Sequence, residues 1–417
     1  MKTAKNYTTV QFVGYVLSTI PALKESVEGM SDWGTYLGKE DDTEDINTRL
    51  KLISKVLKIS ISKAVSDNNT LKIFVIPEFF WRGKRGAYQY KNPNKDEMYE
   101  KIKNGLDNII KRHTEEQNDY RFNPSDWLFV FGSVLTTPVS SHIVTDIDKV
   151  LAKTGDDFLN VYSLIKKNSN GNSIGSLSRL LRIADKAEVA NTTDDEKLSS
   201  LLADVLNMSD SLATQTIYNR SLIFYDGQVY NIQKQYKSKE DFILNNSSED
   251  KNQVECYLQT MVNYPSIDSE SAVPTLPLSN FTCGNLNIGV EICLDHSRKR
   301  LLEYASKGEI RPLDIQIVPS CGMQLRKDSI VTKEGGLLFN CDGEYTLEGD
   351  AQNGDYSHSE LKRGQFTASC GPCLSKQLSI LEIIPVMNGD ICIDELFPHG
   401  AGQIHIYNPQ SCNTKFK

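Results

Sequence analysis

The stretch LNIGVEICLDH, residues 286–296, carries the pattern that decides the fold of this chain. Apolar positions lead into Cys293, and the run then breaks at Asp295 and His296. This pattern predicts a buried β-strand that ends by presenting a thiol. Such a strand end can hold a nucleophile rigidly, and the backbone N–H groups just beyond it can bind an oxyanion. The alternative is a core cysteine in an ordinary strand, since free cysteine is among the most buried residue types.

A second apolar strand, LKIFVIPE, spans residues 71–78 and ends on a carboxylate. Pro77 cannot continue a central ladder, so we expect the strand to stop there and to leave Glu78 at its tip. Three aromatic residues follow directly: Phe79, Phe80 and Trp81. Apolar surroundings make a carboxylate a stronger base, which suits Glu78 for proton transfer. Taken alone, a solvated loop carboxylate is the competing interpretation.

The third segment, IYNRSLIFYDGQVYNIQKQY, spans residues 217–236. Residues 221–225 predict a strand, Asp226-Gly227 a hairpin turn, and residues 229–232 the returning strand. Lys234 follows that strand. Most lysines are solvated, so the position has no functional meaning by itself.

In this order the three segments resemble the nitrilase superfamily of carbon–nitrogen hydrolases, of the Glu-Lys-Cys type. That family is similar in its Pro-Glu strand end, its Tyr-Asn strand and Asp-Gly hairpin before a lysine, and its Gly-Val-x-Ile-Cys-x-Asp strand. The matching residues are Pro77-Glu78, Tyr218-Asn219, Asp226-Gly227, Lys234, Gly289-Val290, Ile292-Cys293 and Asp295. The resemblance covers roughly residues 8–345 and implies an αββα sandwich, with the whole chain, 1–417, as one hydrolase domain.

Flanking segments extend the resemblance, and two departures limit it. Asn47 opens a helical pattern before the Glu78 strand, while residues 300–307 predict a helix and residues 314–320 a buried strand. The family usually has Tyr-Arg-Lys where this chain has Ile232-Gln233-Lys234, so Lys237 stays open as the alternative lysine. The family pattern also fades after Gly343.

The resemblance implies a mechanism that uses Cys293, Glu78 and Lys234. Cys293 would attack a carbonyl carbon and form a thioester, and Glu78 would move protons in both half-reactions. Lys234 would stabilise the oxyanion together with the Leu294 N–H group and would lower the thiol pKa. The scheme requires neither a metal nor a cofactor. Family members often pair through another subunit, so we expect a homodimer.

The substrate is expected to be a small molecule. Trp81 and Arg82 follow the base and are predicted to contact it, as is Leu294 after the nucleophile; Arg85 is an alternative for holding an anionic group. An amide is favoured over a nitrile, because Leu294 and Asp295 follow the cysteine instead of the Trp or Glu expected in true nitrilases. Nitrile hydrolysis, acyl transfer and an inactive scaffold that only binds ligands remain alternatives.

Composition indicates a cytoplasmic enzyme. The net charge of −8 argues against a nucleic-acid surface, and no stretch of 18 apolar residues suggests a membrane span. The N-terminal residues predict a first strand at 9–17 and not a signal peptide. Nine cysteines without dense spacing favour reduced thiols.

Four segments depart from the hydrolase pattern. Residues 136–216 follow the apolar strand predicted at 127–135 and contain helical periodicity, which predicts a helical insertion. That insertion could serve as a substrate lid, a partner platform, an oligomer contact or a plain decoration. Residues 245–280 predict a polar loop, and residues 29–45 and 344–363 are also predicted to lack regular structure.

Other thiols allow competing hypotheses. Cys293 and His296 could form a Cys–His dyad, if the imidazole meets the thiol in space. Cys370 and Cys373 lie in a Cys-Gly-Pro-Cys sequence, but too few residues follow for a thioredoxin domain. The same pair could join Cys341 or Cys392 at a zinc site, although the spacing is irregular.

Overall fold

A computed structural model describes residues 5–20, 22–23, 34–84, 86–92, 95–116, 122–138, 217–236, 276–344, 358–367 and 371–412. The strands in this part of the chain are β1 (Thr9–Val16), β2 (Ala22–Leu23), β3 (Gly34–Thr35), β4 (Thr70–Ile76), β5 (Tyr88–Tyr90), β6 (Trp127–Phe131), β7 (Val134–Pro138), β8 (Tyr218–Tyr225), β9 (Gln228–Gln233), β10 (Asn280–Cys283), β11 (Leu286–Val290), β12 (Leu313–Ser320), β13 (Thr332–Asp342), β14 (Glu360–Thr367), β15 (Gly371–Leu374), β16 (Ile380–Pro385), β17 (Gln403–Tyr407) and β18 (Gln410–Ser411). The helices are α1 (Asp42–Lys63), α2 (Glu97–Glu116), α3 (Leu294–Ser297) and α4 (Arg300–Ser306).

The first sheet has the strand order β16-β17-β1-β4-β6-β8-β7-β5, with β9 paired to β8 and β18 paired to β1. Its centre is parallel, because β4 runs parallel to both β1 and β6. Every residue of β4 is buried. A nearly continuous apolar run is what a parallel strand covered on both faces requires, so the TLKIFVI sequence of β4 fits this central position.

The second sheet has the order β10-β11-β12-β13-β14-β15. β12 is parallel to β11 and to β13, which makes the centre of this sheet parallel as well. The predicted strand at 314–320 is confirmed as part of β12, and the apolar run at 286–290 is confirmed as β11. β11 therefore delivers Cys293 to the end of a central parallel strand, where the carboxyl ends of its neighbours meet.

The two sheets pack face to face, and helices cover both outer faces. The rings of Phe12 on β1 and Phe339 on β13 have centroids 4.8 Å apart, within one apolar cluster that joins the sheets. α1 and α2 contribute to a second cluster on the outside of the first sheet. Leu301 of α4 packs against Leu313 on the outside of the second sheet. The chain thus folds as a four-layered αββα sandwich, as expected.

Two predicted element boundaries differ from those in the structure, and in each case a neighbouring residue explains the difference. α1 begins at Asp42 and not near Asn47, because the Asp41 side chain accepts a hydrogen bond from the Glu44 N–H group and caps the helix. The end of the loop predicted at 29–45 is therefore helical. The strand predicted at 127–135 divides into β6 and β7, because Gly132 adopts φ +57° and breaks the ladder.

The predicted hairpin after β8 is confirmed. Asp226 and Gly227 have φ values of 45° and 77°, and Tyr225 pairs with Gln228. Two consecutive residues with positive φ form a type I′ turn, which matches the twist of the flanking strands. This turn fixes the register of β9 and hence the position of Lys234 just beyond it.

The predicted insertions fall mostly outside the described residues. Of the segment 136–216, residues 136–138 belong to β7, and 139–216 lies outside the described part. Residues 245–275 lie outside it too. Residues 276–279 lack regular structure, as predicted, and Asn280, the last residue of the predicted polar loop, opens β10. Residues 345–357 are likewise outside, while β14 corrects the unstructured prediction for 360–363. None of the described helices is long and apolar enough to cross a membrane.

Candidate active site

Glu78 lies at a turn between the two sheets. β4 ends at Ile76, as Pro77 predicted, and the Glu78 N–H group donates to the Ser320 carbonyl at the end of β12, 3.2 Å away. Phe79 then adopts φ 62°, a left-handed conformation, and its N–H group donates to the Ser133 hydroxyl at 3.1 Å. These bonds fix the backbone on both sides of the carboxylate, whose residue is completely buried.

Gly132 makes this turn possible. A Cβ atom at this position would lie 2.1 Å from the Pro77 carbonyl oxygen, and its φ of +57° is rarely adopted by other residues. Only glycine therefore lets the β6–β7 connection approach the segment that carries Glu78. Sequence patterning showed a glycine within an apolar run but not which backbone it would meet.

Lys234 lies next to Glu78, although 156 positions separate them in the chain. Its Nζ atom donates to Glu78 Oε1 at 2.7 Å, and both side chains are completely buried. Asn219 Nδ2 donates to the same oxygen at 3.1 Å, and the Asn219 carbonyl accepts the Lys234 N–H group at 2.8 Å. Asn219 thus contacts both partners of the pair. Lys237, the alternative lysine, lies outside the described residues.

Cys293 lies between β11 and α3 in a strained conformation. Its φ of 46° and ψ of −106° are unusual for a residue with a side chain, and only 6% of its surface is exposed. Its N–H group donates to the Pro319 carbonyl at 3.0 Å. Because Pro319 precedes Ser320, two consecutive carbonyls of β12 hold the backbones of Cys293 and Glu78.

Burial determines the ionisation of the Cys293 thiol. Removal from water raises its pKa well above the usual value, the Glu78 carboxylate raises it further, and Lys234 lowers it. The thiol also donates to the Cys321 carbonyl at 3.7 Å. The expectation that the lysine lowers the thiol pKa is confirmed in direction, but desolvation outweighs the nearby positive charge, so the net pKa lies above the usual value.

Both nitrogens of His296 are engaged away from the thiol. Nε2 accepts the Arg326 N–H group at 3.1 Å, which leaves the proton on Nδ1, and Nδ1 lies 2.9 Å from Glu291 Oε2. Gln316 donates to the same Glu291 oxygen. This buried network joins β12 to the segment after Cys293. The structure therefore gives no support to a Cys293–His296 dyad.

The three residues predicted to contact substrate have different surroundings. Trp81 belongs to the apolar core beneath the helices, and its Nε1 atom donates to the Phe131 carbonyl at 3.1 Å. A contact between Trp81 and the substrate stays a prediction. Arg82 is buried and donates to the Thr19 carbonyl at 2.6 Å, beside a cavity of about 10 Å³ that has room for one water molecule.

Leu294, the third predicted residue, opens α3 directly after Cys293. The first N–H groups of a helix have no acceptor inside the helix, so the Leu294 N–H group is available in principle to an oxyanion. Cys321 was not found from the sequence, because nothing in its pattern distinguishes it. The charges of Glu78 and Arg82 both act on its thiol, which places Cys321 beside the candidate site.

Possible metal ligands occur at one further place among the described residues. One ligand atom from each of Asp342, Glu344 and His358 lies within 4.8 Å of the others. Asp342 already accepts the Ser320 hydroxyl and the Gly322 N–H group at 2.7 and 2.8 Å, so its carboxylate has a structural use. No cysteine joins such a group in the described part of the chain, and Cys370 lies outside it.

Comparisons with known proteins add likenesses to solved structures. No family model matches the sequence, and no curated protein matches it. Among solved structures, the chain is similar to the crystal structure of Saccharomyces cerevisiae Nit3, a member of branch 10 of the nitrilase superfamily. The identity is 12%, the match covers 85% of this chain and 83% of that chain, and the TM-score is 0.37. At this level of similarity, conclusions about the site depend on its own contacts.

Proposed function

We propose that this protein is a carbon–nitrogen hydrolase that uses Cys293 to cleave the amide bond of a small, non-peptide substrate. One observation carries the proposal: Lys234 Nζ lies 2.7 Å from Glu78 Oε1, and both charges act on the Cys293 thiol. A base, a cation and a nucleophile that come from separate strand ends form the set that thioester chemistry requires.

Acylation begins with proton transfer from the Cys293 thiol to Glu78. The sulfur then forms a bond to the carbonyl carbon, and the carbonyl oxygen takes the negative charge. Lys234 and the Leu294 N–H group stabilise that oxyanion. When the tetrahedral intermediate collapses, the C–N bond breaks and Glu78 returns the proton to the departing amine. The product of this half-reaction is a thioester on Cys293.

Deacylation uses the same groups in reverse. Glu78 accepts a proton from water, and the resulting hydroxide attacks the thioester carbon. The C–S bond then breaks, the sulfur takes the proton back from Glu78, and a carboxylic acid leaves. Because burial keeps the resting thiol neutral, the reaction depends on a nearby base, which is the role proposed for Glu78.

The environment of the site favours a small substrate. Its groups are buried, and a small cavity lies next to Arg82. Arg82 carries its charge close to Glu78 and Cys321, which suits contact with an electron-rich group of the substrate. We further propose a cytoplasmic, cofactor-independent enzyme that forms a homodimer; the described cysteines are all free thiols, which fits a reducing compartment.

Mass spectrometry after exposure to a panel of small amides and nitriles tests this proposal. We expect a mass increase equal to the acyl group on the peptide that contains Cys293, with release of amine or ammonia. Cys293→Ala should show neither, whereas Cys373→Ala should behave like the native protein. A thioimidate adduct from nitriles alone would favour nitrile hydrolysis. If the folded protein binds panel members but forms no adduct and releases no product, it is a binding scaffold.

A further inference from the structure

A buried ion pair, Asp295 with Arg300, forms hydrogen bonds to the backbone of the segment that carries the proposed catalytic lysine. The Asp295 carboxylate accepts the N–H groups of Gln235 and Tyr236, at 3.0 and 2.9 Å to Oδ1. Arg300 Nη1 donates to Asp295 Oδ2 at 2.7 Å and to the Gln233 carbonyl at 2.6 Å. Both side chains are at most 2% exposed. The pair therefore binds the backbone on both sides of position 234.

The partners come from the segment that also carries the nucleophile. Asp295 lies two residues after Cys293 within α3, and Arg300 opens α4. The lysine segment, by contrast, follows β9 of the other sheet. The backbone of Lys234 is thus fixed from two directions, since its own N–H group donates to the Asn219 carbonyl.

Such an arrangement contributes little to the free energy of unfolding. A buried ion pair often contributes less than apolar residues of the same volume, because both charges lose their hydration. Its four charge-assisted hydrogen bonds instead fix the position of the backbone around Lys234. Burial raises the pKa of Asp295, while Arg300 and Lys234 counter the rise, so the carboxylate also interacts electrostatically with the lysine.

We propose that Asp295 and Arg300 are positioning residues that hold Lys234 where its Nζ atom reaches both Glu78 and the Cys293 thiol. The proposal rests on the role given to Lys234 above. It explains why a chain that departs from the usual residues before the lysine still brings the ammonium to the carboxylate. An error of about 1 Å in such a group can reduce a rate about 100-fold.

The ionisation of Cys293 reports the position of Lys234 without any substrate. The charged and titratable groups that act on this thiol are Glu78, Lys234 and Cys321. Of these, Lys234 lowers its pKa, so withdrawal of the ammonium should raise it. A substitution that only weakens the fold would leave the pKa of the folded protein unchanged. The pKa of the Cys293 thiol therefore distinguishes a displaced Lys234 from a general loss of stability.

The experiment measures alkylation of Cys293 by iodoacetamide as a function of pH, resolved by peptide mass spectrometry. Asp295→Asn should shift the profile to higher pH, in the direction of Lys234→Met. A shift of about one pKa unit lowers the thiolate fraction, and hence the alkylation rate near neutral pH, about tenfold. Asp314→Asn is the matched control, because Asp314 also accepts a backbone N–H group and pairs with Lys333, but outside the site. Exposed Cys392 monitors the reagent within each sample.

A double-mutant cycle gives the decisive comparison. If Asp295 acts through Lys234, Asp295→Asn should cause no additional shift once Lys234→Met is present. Should Asp295→Asn fail to fold, Arg300→Lys takes its place; it keeps the cation and should show a smaller shift in the same direction. An unchanged profile in the folded variants, or full additivity in the cycle, overturns the proposal. Because no turnover is measured, neither result depends on whether the protein is a hydrolase.

Discussion

Lys234 Nζ lies 2.7 Å from Glu78 Oε1, and neither side chain reaches solvent. The two residues come from the ends of different strands of the first sheet, while Cys293 comes from the second. A charge pair placed between two packed sheets is strongly constrained, because the surrounding apolar layers cannot supply substitute hydrogen bonds. Its properties can therefore be tested by removing one charge at a time.

Removing one member of this pair should destabilise the protein more than removing both. Glu78→Gln leaves the Lys234 ammonium buried without the carboxylate, which should cost about 3–5 kcal/mol of unfolding free energy. The double variant Glu78→Gln with Lys234→Met removes both charges and should recover a large part of the loss. Urea unfolding monitored by circular dichroism measures each value. Equal or greater loss in the double variant would show that the pair is not electrostatically coupled.

Substitution of the nucleophile should separate activity from folding. Cys293→Ala should abolish product release, and Cys293→Ser should reduce it nearly as far, because a carboxylate base is too weak for a hydroxyl. The free energy of unfolding of both variants should lie within about 1–2 kcal/mol of that of the native protein, because the change affects a small side chain at a strand end. Cys373→Ala, on β15, serves as the control. Full activity in Cys293→Ser would contradict the assignment.

Stability should decline in alkaline solution because of buried thiols. Burial raises the pKa of four cysteines well above the ordinary value: Cys283, Cys293, Cys321 and Cys341. Above about pH 8.5 the unfolded chain releases these protons while the folded chain keeps them. The folded state then binds more protons, so the unfolding free energy falls by about 1.4 kcal/mol per pH unit for each thiol.

This decline can be measured by urea unfolding between about pH 7 and 10 in the presence of a reductant. Cys283→Ala removes one buried thiol that lies away from the site. It should reduce the dependence of the unfolding free energy on pH by about 1.4 kcal/mol per pH unit, the contribution of one thiol. A flat profile would mean that the thiols are accessible to solvent in the folded protein.

Substitution of Gly132 should destabilise the protein far more than substitution of Gly227, another glycine with positive φ. Gly227→Ala adds only the cost of a left-handed conformation, about 1–2 kcal/mol, because no atom lies within 4 Å of the new Cβ. Gly132→Ala adds a clash with the Pro77 carbonyl and should cost at least about 2 kcal/mol more. It should also slow acylation, because Glu78 follows Pro77. Equal losses of stability in the two variants would mean that this connection relaxes freely.

Excision of residues 139–216 should leave the remaining chain able to fold. β7 and β8 are antiparallel neighbours, and Thr136 pairs directly with Tyr218, so a short Gly/Ser linker can join them. The test compares circular dichroism, unfolding midpoint and the alkylation rate of Cys293 before and after excision. Collapse of the β7–β8 pairing, seen as loss of cooperative unfolding, would show that the segment is needed for the first sheet.

The central strands and their ends could be predicted because their causes are local. An uninterrupted apolar run needs cover on both faces, Pro77 cannot extend a ladder, and Asp226-Gly227 favours positive φ at two consecutive positions. These rules apply wherever the segment lies in the fold. They placed Glu78, Lys234 and Cys293 at strand ends, although they could not say which strands are neighbours.

The tertiary structure decided what each of those ends meets. The contact between Glu78 and Lys234 depends on sheet order across 156 positions of chain. The bonds from the Asp295–Arg300 pair to the backbone around Lys234 depend on the packing of one sheet against the other. Trp81 entered the core, because the left-handed turn at Phe79 changes the direction of the chain and the alternation of faces cannot be followed through it. By itself, the sequence determined which segments are buried strands and which reactive groups stand at their ends. Only the packing of two sheets decided which of these groups share one water-excluded space, because burial and charge pairing belong to the assembled layers.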